Sequence, residues 1–160
     1  MVRWARIWST RSFKSAFGVS PSSPSAASSD RLARARAIAR AGASEVLAAD
    51  IDPFCAAAVA LNAEVNGVSI AFTSADLLES PPPAVPVILA ADICYEAPLA
   101  ERVMAWLQAA RAEGTRVLIG DPGRTYFPKS GLVQLAEYRV PTTRELEDFE
   151  VKRTGVWTLA

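Results

Sequence analysis

Glu45-Val-Leu-Ala-Ala-Asp-Ile-Asp-Pro53 is the stretch on which the fold class turns. Its apolar run, Val46 to Ala49, shows no polar alternation, which suits a strand buried on both faces. The run ends on Asp50 and Asp52, and Pro53 is placed as the first helical residue after an Asp cap. The following residues, Phe54 to Asn66, are rich in alanine and are closed by Gly67, so they read as a helix. One strand leading directly into one helix is the repeating unit of a parallel sheet.

Downstream the unit recurs. Val68 to Phe72 is a second apolar run, leading to Ala75-Asp-Leu-Leu78 and a proline turn at Pro81-Pro-Pro83. Val85 to Ala91 is a third run, ending in Asp92. Pro98 to Glu113 places Leu99, Val103, Trp106, Leu107 and Ala110 on one helical face, and Gly114 stops it. Arg116 to Gly120 is a fourth strand, ending in Asp121-Pro-Gly123. Leu132 to Tyr138 reads as a short helix and Val151 to Leu159 as a final strand. The expected fold is α/β, a mostly parallel sheet with helices on both faces.

Upstream the character changes. Met1 to Ser29 shows no sustained helical or strand period, and Ser20 to Ser29 is a Ser/Pro-rich low-complexity segment. Asp30 caps an expected helix through Leu32, Ala35, Ile38 and Ala39, stopped by Gly42. The chain thus divides into a leader, residues 1–30, and a domain, residues 31–160. The leader is disordered or aberrant in this reading: a transit peptide, a genuine leader, or the product of a reading-frame shift upstream of Ala41.

Net charge is zero, but residues 1–42 carry eight Lys/Arg and one acid, whereas residues 43–160 carry nine Lys/Arg and sixteen acids. The acidic domain offers no basic patch for nucleic acid. No run approaches the roughly 18 apolar residues that cross a bilayer. The two cysteines, Cys55 and Cys94, form no CxxC and read as buried free thiols in a reducing compartment, the cytoplasm. The chain has no histidine, which excludes Ser-His-Asp and Cys-His catalysis and the commonest zinc sites. No metal site is expected, and the molecule is expected to be a monomer.

Ligands in parallel sheets bind beyond the carboxyl ends of the strands, and the four runs lead into Asp50, Asp76, Asp92 and Asp121. Asp50 stands where a carboxylate accepts both hydroxyls of a ribose, with Ile51 placed to lie against an adenine face. Asp76 is suited to accept from an adenine amino group, or equally to cap a turn. Asp92-Ile-Cys-Tyr95 sets an acid and an aromatic hydroxyl three residues apart at a strand end. Such a carboxylate orients an amine and such a ring walls a channel; the alternative is a turn with Tyr95 packed on the core. Gly120 to Gly123 with Tyr126 is a rigid loop that either lines this channel or is only a turn.

Val46 to Phe54, Ala63-Glu-Val-Asn-Gly-Val68 and Asp92-Ile-Cys-Tyr-Glu96 together resemble the seven-strand methyltransferases, specifically the lysine methyltransferases of the electron-transfer-flavoprotein β-subunit type. Their bacterial relatives are often labelled ribosomal-protein or nicotinamide methyltransferases. Gly120-Asp-Pro-Gly-Arg124 and Pro141-Thr-Thr143 are similar to the C-terminal half of that family. The resemblance covers roughly residues 40–159. It implies a Rossmann-like sheet and S-adenosylmethionine as cofactor, with Asp50 on the ribose, Asp76 near the adenine, and Asp92 with Tyr95 at the substrate amine. It also implies a protein substrate, such as the electron-transfer flavoprotein β subunit or a ribosomal protein.

That family opens with a strand and a G-x-G loop under the cofactor. Before Gly42 this chain has one glycine, Gly18, so the fold is expected to be N-terminally incomplete. Three functional readings therefore stand: an active methyltransferase of a protein lysine or a small amine, a catalytically impaired remnant, and a non-catalytic binding domain.

Overall fold

The computed structural model describes residues 3–7, 43–141 and 151–160. Its strands are β1 (Arg3–Ile7), β2 (Glu45–Ala49), β3 (Ala71–Thr73), β4 (Val87–Ala91), β5 (Arg116–Asp121), β6 (Leu132–Pro141) and β7 (Val151–Leu159). Its helices are α1 (Phe54–Val65) and α2 (Ala97–Ala112), with a short 3-10 turn at Leu77–Glu79. The strands form one seven-stranded sheet in the order β3-β2-β1-β4-β5-β7-β6. The first five are parallel to one another, and β7 pairs antiparallel with both β5 and β6.

The strand-helix unit at residues 45–65 forms as its sequence suggests. Asp52 accepts the N–H of Phe54 at 3.0 Å, and Gly67 stops the chain past α1 at φ 61°. Helix α2 starts with Pro98 in its first turn and is followed by Gly114 at φ 87°.

Register shows that the two helices cover opposite faces. Ile88 and Val117 pair with each other and pack with Val103 and Leu107 of α2 in the main core. Ala48 and Phe72 pair with each other and pack with Val59 of α1. Ile88 sits in the row of Ala5, whereas Ala48 sits in the row of Arg6, one residue on and therefore on the other side of the sheet. The core is concentrated under α2, where Ile88, Val103, Leu107 and Ile119 are fully buried. Trp106 closes the edge of this core and donates its indole N–H to the Ser80 carbonyl at 2.8 Å.

Two sequence expectations are corrected. Residues 1–30 were expected to hold no strand, yet Arg3–Ile7 lies mid-sheet between β2 and β4. Pairing on both sides satisfies its backbone donors and acceptors, and that outweighs a poor local pattern. Leu132–Tyr138 was expected to be helical and is instead the start of β6, held along its length by β7. The expected helix after Asp30 lies outside the described residues, as do Thr142 and Thr143.

Candidate functional site

Strand order reverses between β1 and β4, since the chain moves outward from β1 to β2 and β3 before returning to β4. In open parallel sheets this switch point, at the carboxyl ends of the strands, is where the crevice forms. Asp50 follows β2 directly and Asp92 follows β4 directly, so the two acids flank β1 and the switch point. Asp121 ends β5, the next strand beyond β4.

Asp50 is buried, with only 5% of its surface exposed. Its N–H donates to the Thr73 carbonyl at 3.1 Å, which ties the end of β2 to the end of β3. Its Oδ1 accepts the N–H of Asp52 at 3.0 Å, while Asp52 caps α1. The two acids thus divide their roles, and Asp50 is the one inside. Ile51 is half-buried beside it. Asp76 is used locally: it accepts the N–H of Leu78 at 3.0 Å and caps the 3-10 turn, with Arg102 3.8 Å away.

A carboxylate–guanidinium network lies across β4 and β5. Asp92 has φ 54°, the left-handed region that costs a non-glycine residue on the order of 1 kcal/mol. Its N–H donates to the Gly120 carbonyl at 2.8 Å, pinning the strained turn to β5. Its carboxylate receives both arms of Arg124: Nε at 2.5 Å on Oδ1 and Nη2 at 2.8 Å on Oδ2. Both side chains are about one-third exposed, at 34% and 30%.

Arg124 is aimed by Asp121. The Asp121 Oδ1 accepts the N–H groups of Gly123 and Arg124, each at 2.7 Å. Gly123 turns the chain at φ 89°, a conformation that favours glycine. Asp121 is 2% exposed, and its Oδ2 has no hydrogen-bond partner among the described residues. Burial raises its carboxyl above the ordinary value, against the two backbone donors that pull it down.

Cys94 is fully buried in the same loop. Burial first, then the Asp121 and Asp92 carboxylates, push its thiol up to about 12, so it is an inert neutral group. Cys55, expected to be buried, is only half-buried. Tyr95 is half-buried in the loop between β4 and α2. Tyr126, by contrast, is 47% exposed. Among the described residues no cluster of three Cys, Asp or Glu side chains could hold a metal ion. Nor is any described helix long and apolar enough to cross a membrane.

The structure therefore brings Asp92 and Asp121 together through Arg124 and places Asp50 across the switch point. Arg124 was not singled out as a site residue in the sequence. The available signal was an arginine immediately after an Asp-Pro-Gly turn, but its partner depends on β4 and β5 being neighbours.

No protein-family model matches the chain. It is 36% identical over 131 residues to the electron transfer flavoprotein beta subunit lysine methyltransferase of Rattus norvegicus, covering 78% of this chain and 51% of that protein. The protein of the same name from Homo sapiens is 31% identical over 131 residues, with coverage of 78% and 50%. The chain thus spans about half the length of the curated relatives it matches. Among solved structures, the N-methyltransferase NodS from Bradyrhizobium japonicum superposes with a TM-score of 0.58 at 9% identity, covering 99% of this chain and 85% of that one. The ribosomal protein L11 methylase from Lactobacillus delbrueckii subsp. bulgaricus gives 0.54 at 16% identity, covering 99% and 71%. Sp1610 from Streptococcus pneumoniae, in complex with S-adenosyl-L-methionine, gives 0.53 at 15% identity, covering 82% and 63%. The structural neighbours share the fold, and on its identity to the curated relatives this chain belongs to the seven-strand, Rossmann-like methyltransferases, among the relatives of the electron-transfer-flavoprotein β-subunit lysine methyltransferases.

Proposed function

We propose that this chain is an S-adenosylmethionine-dependent methyltransferase that modifies the ε-amine of a protein lysine in the cytoplasm. The observation that carries the reading is the pair of strand-end carboxylates, Asp50 and Asp92, on either side of the switch point. An adenosine presents two ribose hydroxyls and an amino group as donors. Asp50 and Asp76 are acceptors at and just beyond the ends of neighbouring strands, with the half-buried apolar Ile51 next to Asp50 in the chain, so the donor set fits. S-adenosylmethionine, when bound, supplies an electrophilic methyl group on sulfur; the rest of the task is orientation.

In this reading Asp92 accepts a hydrogen bond from the incoming amine and aims its lone pair, while Tyr95 walls the approach. Holding Asp92 in a left-handed turn pinned to Gly120 removes the freedom that would otherwise blur that aim. The names of the curated relatives make the β subunit of electron-transfer flavoprotein the first substrate to test.

Transfer of labelled methyl to that purified subunit is the experiment. Wild-type chain is expected to label it, and Asp92→Asn to reduce the rate by about a hundredfold, as loss of an orienting group does. Its thermal midpoint should change little, since the Arg124 pair is part-exposed. Full activity in Asp92→Asn would remove that residue from the chemistry.

A second reading, a folded relative without methyl transfer, is favoured by one observation. Between β1 and β2 the chain has only Gly18 and Gly42, and therefore no G-x-G for a close backbone approach to the cofactor.

A further inference from the structure

Asp92 is not a bare carboxylate. Arg124 approaches side-on with two hydrogen bonds, one to each oxygen, and offsets the Asp92 charge that the amine would otherwise meet. This matters because an isolated carboxylate at a part-exposed site binds an ammonium ion far better than a neutral amine. An ammonium has no lone pair and cannot attack. A carboxylate already paired with a guanidinium still has a second lone pair on each oxygen, so it accepts a hydrogen bond from a neutral amine without holding the proton in place.

We propose that Arg124 is a positioning residue that makes the Asp92 site select the uncharged form of a primary amine. The proposal deepens the reading of Asp92 as the group that meets the amine, and rests on it. The placement is built rather than incidental. Asp121 receives the N–H groups of Gly123 and Arg124 on one oxygen, Gly123 makes the turn, and Pro122 stiffens it, so the guanidinium is delivered to Asp92 from a fixed backbone. Asp92 also interacts electrostatically with Asp121 from β5 and with the Cys94 thiol of its own loop. Cys94 is neutral at working pH, its thiol raised by burial and then by the Asp121 and Asp92 carboxylates. Arg124 is thus the cation seen bonded to Asp92 here.

The test uses two small primary amines at neutral pH, followed by NMR titration on the full chain. n-Propylamine is charged under these conditions, and 2,2,2-trifluoroethylamine, nearly the same size, is uncharged because its fluorines withdraw electrons. Wild type is expected to prefer the uncharged amine. Arg124→Gln is expected to reverse the preference, moving the ratio of the two dissociation constants by about tenfold or more, the scale of one exposed charge at hydrogen-bond distance. Arg124→Lys keeps the charge and should keep the wild-type preference, which also guards against a folding defect in the glutamine variant. An unchanged ratio in Arg124→Gln, with binding still abolished by Asp92→Asn, would overturn the proposal and leave the Asp92 reading intact. Amine binding that survives Asp92→Asn, or is absent from wild type, would overturn the Asp92 reading and the proposal with it.

Discussion

At the scale of single residues, the buried thiol and one glycine give the sharpest consequences. Cys94, pushed up to about 12, should resist iodoacetamide at pH 8, while half-buried Cys55 reacts first. Peptide mapping of singly labelled protein checks this. Because the folded thiol value lies above the unfolded one, the stability contributed by Cys94 is complete below about pH 9 and is lost as pH rises toward 12. Gly155 is constrained differently: a Cβ there would collide with Nε1 of Trp157, whose ring also meets Phe127 at 5.5 Å. Gly155→Ala should therefore cost about 1–3 kcal/mol by urea unfolding, the range for overpacking. At this scale the strand-end acids of the candidate site were legible. Asp50, Asp92 and Asp121 announce themselves as acids closing apolar runs, and Asp52 as a cap before Pro53. Arg124 did not, because its meaning comes from a partner 32 residues away.

Among the elements, legibility followed burial. β2, β4 and β5 are apolar runs whose residues are buried or half-buried, apart from the first of β2 and of β5, and α2 shows its buried stripe of Val103, Leu107 and Ala110 directly. Leu107 is fully buried against the sheet, and Leu107→Ala should destabilise the chain by about 2–5 kcal/mol in thermal or urea unfolding. β6 was misread because an edge strand needs no such run. Leu132, Leu135 and Ala136 fall at helix-like intervals, and the irregularity between Gln134 and Ala136 breaks the alternation that marks a strand. β1 was missed for a stronger reason. Arg-Trp-Ala-Arg-Ile has arginines three apart, which neither alternates nor runs apolar; only pairing with β2 and β4 selects it. Ala5 bonds in the middle of that strand, so Ala5→Pro should remove ladder bonds and cost about 3 kcal/mol or more. A loss below 0.5 kcal/mol in the same unfolding experiment would contradict the central position of Arg3–Ile7.

In the molecule as a whole, the order of the sheet positions the candidate site. Strand order puts the acids of β2 and β4 on either side of β1, and that order was the part of the fold that the sequence could not display, since it needed a strand in residues 1–30. The claim that follows is that the chain binds its cofactor at the switch point even without a G-x-G between β1 and β2. Calorimetric titration of the full chain with S-adenosylmethionine and with S-adenosylhomocysteine tests it most directly. The account predicts micromolar binding of both, weakened at least about tenfold, or about 1.4 kcal/mol, by Asp50→Ala. A chain that unfolds cooperatively yet takes up neither ligand would contradict it, and would leave the family relationship as one of ancestry alone.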